Sequence, residues 1–195
     1  MRQILIVVCM GMLLAAGLLG FGPGSVQPVQ RNIIYLHVPA SICSLLCFTA
    51  VFACSIGYLW LKDPAWDRLA AASAAVGLVF ATVMNATGMI FARAEWGIWW
   101  TPSIRLISSA VLWFLYITYL ILRRGIEPGD RRSRISAVFG IIAFADVPLV
   151  FISARFIRDI HRPSFSFETS VQSAAMGLGI FGTILLAVIL IWTSA

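Results

Sequence analysis

Charge is what this chain has least of. Only 11% of its 195 residues are Asp, Glu, Lys or Arg, and the acidic residues number eight. Soluble domains carry about 25% charged residues, so a water-soluble globule is excluded. With 61% hydrophobic residues and a mean hydropathy of +0.95, the composition is that of an integral membrane protein. The net charge of +6 does not point to nucleic acid, because the basic residues are divided among short segments between apolar runs. The four cysteines, Cys9, Cys43, Cys47 and Cys54, all lie inside apolar runs, and none forms a CxxC or CxxCH pair. That excludes a disulfide framework, a zinc site and a covalent haem attachment sequence. No GxxxxGK[ST] occurs, which excludes ATP hydrolysis by the P-loop route. HExxH and Ser/His/Asp arrangements are also absent, as are internal repeats and low-complexity linkers. Residues 1–195 read as a single domain.

Apolar runs are abundant instead. Six of them, at 4–21, 38–60, 70–91, 102–122, 136–154 and 172–193, approach the roughly 20 residues that a membrane-crossing helix needs. The expected fold is all-α: a polytopic membrane protein with six transmembrane helices. The first run follows Arg2 as a signal peptide would. Its apolar core exceeds the usual length of about 7–15 residues and no clear A-x-A site follows, so it reads as a retained span. Cys43, Cys47 and Cys54 fall along one helical face, where small side chains suit a helix–helix contact.

An even number of spans puts both termini on one side. With them lie eight basic residues: Arg2, Lys62, Arg68, Arg123, Arg124, Arg131, Arg132 and Arg134. The opposite side holds six: Arg31, Arg93, Arg105, Arg155, Arg158 and Arg162. The densest stretch is RRGIEPGDRRSR, 123–134, and the positive-inside rule places it, with both termini, in the cytoplasm. Lys62-Asp63-Pro64 ends the second span. Thr101 as N-cap and Pro102 at the first helical position begin the fourth. Glu127-Pro128-Gly129-Asp130 is a turn between the fourth and fifth. Three polar residues fall inside spans. Asp146, two residues before Pro148, reads either as a partner for backbone groups freed by the proline or as a functional group. Asn85 and Thr87 read as interhelical hydrogen-bond formers.

The six arginines on the outer side need a reason, and the rarest residues collect there too. Histidine occurs twice. His37 lies in YLHVPAS at the mouth of the second span, and His161 in RDIHRPSFSF in the third outer loop. The second outer loop holds WGIWW, 96–100. The spacing of Trp96, Trp99 and Trp100 predicts one shared helical face. Such a cluster serves either as an interfacial anchor or as a platform for a flat ligand. Taken together, the three loops favour the second use. Imidazoles are axial ligands of haem iron, indoles pack against a porphyrin, and arginine pairs with propionates. Arg105 stands closest in sequence to the tryptophans, with Arg31, Arg93, Arg158 and Arg162 as further candidates. No span has a histidine at its centre, so a haem here sits at the membrane edge, where it can be handed on.

YLHVPAS, EWGIWWTPSIRL and DVPLVFISARFIRDIHRPS together resemble the CcmC branch of the haem-handling superfamily, the cytochrome c maturation proteins with a tryptophan-rich "WWD" domain. The resemblance runs from about residue 31 to the end of the sixth span. It implies a multi-pass protein of the bacterial inner membrane with a periplasmic site for transiently bound haem b. By it, His37 and His161 match the axial histidines, Trp96, Gly97, Trp99 and Trp100 match the start of the motif, and Arg105 and Leu106 match its "RL". The implied partners are a CcmE-like haem chaperone, a CcmD-like small membrane protein and a CcmAB-like ABC transporter, in the lipid bilayer and without nucleic acid. The family motif reads close to WGxWWxWDxRLT. Pro102, Ser103 and Ile107 depart from it, so the aspartate of "WWD" is missing. Glu95 is a nearby carboxylate, but nothing in the spacing shows that it substitutes. The expected role is haem handling, not an enzyme activity. The alternatives are a cytochrome c synthetase-like subunit, which needs further histidines within its spans; a membrane anchor with a stable b-type haem, which needs histidines at the midplane; and a scaffold without haem.

Overall fold

The computed structural model describes residues 2–21, 32–156 and 169–195. His161, Arg31, Arg158 and Arg162 lie outside the described residues. Seven helices and no strand occur among the described residues: α1 Arg2–Phe21, α2 Ile34–Leu61, α3 Pro64–Trp96, α4 Ile104–Gly125, α5 Asp130–Phe144, α6 Asp146–Phe156 and α7 Ser170–Ser194. Six stretches are long and apolar enough to cross a membrane, the fifth being Asp130–Val150, made of α5 and the start of α6. The chain is an all-α polytopic membrane protein, as its composition requires.

Local chemistry sets the helix ends. After α2, Lys62 adopts a φ of 56°, which stops the helix. The Asp63 carboxylate then accepts from the Ala65 amide at 2.9 Å, and Pro64 follows at the first helical position, where its missing N–H leaves nothing unsatisfied. The Glu127–Gly129 connector ends at Gly129 with φ 149°, a conformation open to glycine. The start of α4 differs from the expected Thr101-Pro102. Ser103 is the N-cap, and its hydroxyl accepts from the Leu106 amide at 3.3 Å. Serine caps better than threonine, and Pro102 remains in the extended chain ahead of it.

The fold divides into two compact units. The first comprises Met1–Cys43, Phe80–Thr101 and Ser164–Ile189. In it α1 lies close against α7: the Cys9 thiol donates to the Gly182 carbonyl at 3.2 Å, and a Cβ at Gly182 would meet Leu13 at 3.0 Å. The Cys43 thiol donates to the Thr183 carbonyl at 3.6 Å. The second unit comprises Ser44–Val79, Pro102–Pro163 and Leu190–Ala195. Its core includes the buried face of α4, Ser108, Leu112, Tyr116 and Tyr119. Phe48 stacks on Tyr116 with ring centroids 3.6 Å apart and planes 9° apart. A Cβ at Gly77 would lie 2.8 Å from Cys47 Cβ, so α2 and α3 approach through small residues. All four cysteines are buried free thiols, in keeping with helix–helix packing as their role.

Polar groups close the second unit. Arg123 grips Asp67 with two bonds of 2.5 and 2.9 Å. Tyr58 donates to Asp130 at 2.6 Å, and Arg134 donates to the same carboxylate at 2.7 Å. The Arg68 Nε donates to the carbonyl of Ala195 at 3.0 Å. Asp146 begins α6 just past the break at Ala145, whose amide turns back to the Ile142 carbonyl at 3.1 Å. The Asp146 Oδ2 is buried without a hydrogen-bond partner among the described residues, so this oxygen does not serve the backbone groups near Pro148.

Candidate functional site

His37 stands in the first turn of α2, two residues ahead of Pro39. Its amide donates to the Ile33 carbonyl at 2.9 Å, and its own carbonyl accepts from the Ser41 hydroxyl at 2.7 Å. Pro39 brings no N–H for the Tyr35 carbonyl one turn back. Gly179 of α7 packs beside this spot: a Cβ there would meet Pro39 Cγ at 3.2 Å and the Tyr35 carbonyl oxygen at 3.5 Å. The helix start is thus held on several sides before the imidazole does anything.

The imidazole itself reaches α3. Its Nδ1 lies 3.0 Å from the Thr87 hydroxyl, and Thr87 is buried. Next to it, a Cβ at Gly88 would come within 3.2 Å of His37 Cε1. Glycine at 88 leaves the space that the ring needs. Thr87 therefore makes the interhelical bond expected of it. Asn85 does not: its Nδ2 donates to the Ala81 carbonyl of its own helix at 3.1 Å.

Nine residues beyond Thr87, α3 ends at Trp96. At about 1.5 Å of rise per residue the intervening distance is roughly 14 Å. Trp96 meets Phe91 edge to face, with centroids 5.7 Å apart. Gly97 then takes φ 74°, the left-handed conformation in which helices commonly terminate. Its amide still bonds the Arg93 carbonyl at 3.2 Å, but the helix does not continue. This corrects the shared helical face expected for the tryptophans: only Trp96 is helical, and Trp99 and Trp100 stand on the irregular segment after Gly97. Both rings are open to their surroundings, at 57% and 45% exposure. Arg93 fastens the turn, donating to the Gly97 carbonyl and placing its guanidinium 6.0 Å from the centre of the Trp99 ring. Such a cation–π contact contributes about 0.5–1 kcal/mol at an exposed position. Arg93, a candidate for an anionic ligand, thus has a local task that its sequence position did not reveal.

His37 and the 96–100 segment belong to the same compact unit, while Arg105, in the first turn of α4, belongs to the other. Glu95 lies exposed in the last turn of α3. His161 falls outside the described residues, so the structure places one of the two histidines. The N-cap role of Ser103 gives the missing motif aspartate a physical reading. Serine and aspartate cap helices about equally well, so the exchange keeps the helix start and removes one negative charge.

Comparison with known proteins supplies the kinship. A family model described as "Heme exporter protein C" (CcmC) matches residues 1–195. Heme exporter protein C of Escherichia coli (strain K12) is 31% identical over 173 residues, covering 86% of this chain and 70% of that protein. The protein of the same name from Bradyrhizobium diazoefficiens is 28% identical over 138 residues, 71% of this chain and 52% of its own. A protein of Marchantia polymorpha, named as a ccmC-like mitochondrial protein of cytochrome c biosynthesis, is 28% identical over 148 residues, 75% of this chain and 62% of its own. The chain belongs to the heme exporter protein C (CcmC) family.

Proposed function

We propose that this chain handles haem in cytochrome c maturation. It holds haem b transiently at the periplasmic face of the bacterial inner membrane, with both termini in the cytoplasm, and gives it to a CcmE-like chaperone. A CcmD-like small membrane protein and a CcmAB-like ABC transporter work beside it. It forms no covalent bond to its cargo and is not an enzyme.

The observation that carries this reading is the pairing, within one compact unit, of a fixed imidazole with two uncovered indoles. His37 is held by Thr87 and Gly88, and Trp99 and Trp100 are turned out of α3 by Gly97. These residues fit haem. Iron takes neutral imidazole nitrogen, which His37 and His161 supply. Indole faces cover porphyrin carbon, and Trp96 steadies the start of their segment. Arg105 suits a propionate: a cation in the first turn opposes the helix dipole, while a bound anion agrees with it.

The test is an absorption spectrum of the purified protein, before and after adding haem, for wild type, His37→Ala and His161→Ala. Low-spin bands in wild type that are lost or turn high-spin in both variants are expected. A wild type that takes up no haem, or variants with unchanged spectra, would remove the ligand assignment and return WGIWW to an interfacial anchor.

A further inference from the structure

We infer that the second compact unit binds an internal water molecule, held between α2, α4 and α5 by the hydroxyls of Ser55, Tyr119 and Ser136. The site stands apart from the haem-handling reading. The three residues are fully buried, at 1%, 0% and 0% exposure, and none of their hydroxyls has a hydrogen-bond partner among the described residues. Buried polar groups are nearly always bonded, and three orphans on three helices at one level call for a common partner.

The level follows from the helix ends. Ser55 is six residues before the end of α2, Tyr119 six before the end of α4 and Ser136 six after the start of α5. These ends share one side of the unit, because Tyr58 of α2 bonds Asp130 of α5 and only residues 126–129 join α4 to α5. At about 1.5 Å per residue, each of the three is roughly 9 Å in from that side. Gly140 shows how near the side chains come: a Cβ there would lie 2.9 Å from Ser55 Oγ and 3.4 Å from Tyr119 Cε2. Ser136 is one turn from Gly140, on the same face of α5.

Other partners are engaged elsewhere. Thr49 of α2, Thr118 of α4 and Ser133 of α5 each donate to the carbonyl four residues earlier, at 2.8, 2.9 and 3.3 Å, as hydroxyls in helices commonly do. Ser55 and Ser136, on two of the same helices, do not. The Arg123 guanidinium stands beside Tyr119, 6.0 Å from the ring centre, but gives its two bonds to Asp67. Water matches what remains. It makes about three hydrogen bonds in buried sites, and each hydroxyl both donates and accepts. Nothing larger suits a place where α5 comes this close to α2.

Tyr116 supplies the control. It is as buried as Tyr119, its ring centre is 6.2 Å away, and its hydroxyl reaches the Phe48 carbonyl at 3.5 Å. The chain has four tyrosines, so 13C-tyrosine labelling with Tyr116→Phe and Tyr119→Phe assigns both rings. The full chain in deuterated lipid, whose tails then do not compete, is measured by magnetisation transfer from water to the rings. At short mixing times Tyr119 is expected to receive it and Tyr116 is not. The double variant Ser55→Ala/Ser136→Ala is expected to bring Tyr119 down to the level of Tyr116. A wild-type Tyr119 no nearer to water than Tyr116 overturns the proposal. So does a Tyr119 that stays wet in the double variant, since its water then arrives by way of Arg123 and is not held by the serines.

Discussion

Gly88 offers a test at the scale of single residues in which stability and binding move apart. Alanine in a helix interior is favoured over glycine by about 0.5–1 kcal/mol, yet its methyl would lie 3.2 Å from His37 Cε1, which asks the ring to shift by a few tenths of an ångström. Gly88→Ala is therefore expected to melt no lower than wild type while binding haem more weakly, read by thermal denaturation and haem titration on one preparation. Equal affinity would show that the ring has room to spare. At this scale the sequence was informative about residue types and silent about partners. Two histidines and a tryptophan cluster stand out in an apolar chain, and Thr87 is conspicuous as a polar residue inside a span. That Thr87 meets His37, fifty positions away, depends on how α2 lies on α3, which no local pattern encodes. The work of Arg93 was hidden for the same reason: it follows from the left-handed turn at Gly97.

At the scale of elements, the start of α4 carries the motif departure. Ser103→Ala is expected to cost about 1 kcal/mol through loss of the cap, and Ser103→Asp to leave stability within roughly 0.5 kcal/mol of wild type. If Ser103→Asp also raises transfer of haem to a chaperone, the family carboxylate has a task beyond capping. The bidentate Asp67–Arg123 pair, with both side chains largely buried, joins α3 to α4. Removing one partner strands the other charge, so Asp67→Ala is expected to lower stability by about 3–5 kcal/mol, and a denaturation curve in detergent matching wild type would show that the charges are well solvated. Helix existence was legible because runs of about 20 apolar residues leave few options in a bilayer. Helix ends were less so. The expected third span, 70–91, becomes Pro64–Trp96, because Asp67 and Arg68 at one end and Arg93 and Glu95 at the other are tolerated once a helix emerges from the apolar layer. The three-tryptophan face failed on one residue: a helical period was read through Gly97, whose positive φ ends the helix.

At the scale of the whole molecule, the charge balance of eight against six predicts a topology that reporters can test. Fusions that are active only in the periplasm are expected to be active after Trp100 and inactive at either terminus. The reverse pattern would move the candidate site to the cytoplasm and end the chaperone reading. Neutralising Arg124, Arg131 and Arg134 together, all exposed, is expected to produce mixed orientation, since it turns eight basic residues against six into five against six.

The length of α3 bears on who can collect the cargo. From Leu69 to Ala92 the helix carries no charge. Those 24 residues span about 36 Å at 1.5 Å each, already more than the roughly 30 Å hydrocarbon layer. Set along the bilayer normal, such a helix would carry the turn from Arg93 to Trp96, and the indoles beyond it, to the headgroup layer rather than the tails. Under the proposed function, a flat, greasy molecule resting there would have one side toward the bilayer and the other toward water. On the proposed haem-handling reading, a recipient would not need to enter the membrane: a water-soluble domain tethered nearby would meet the cargo at the surface, a landing stage between two solvents.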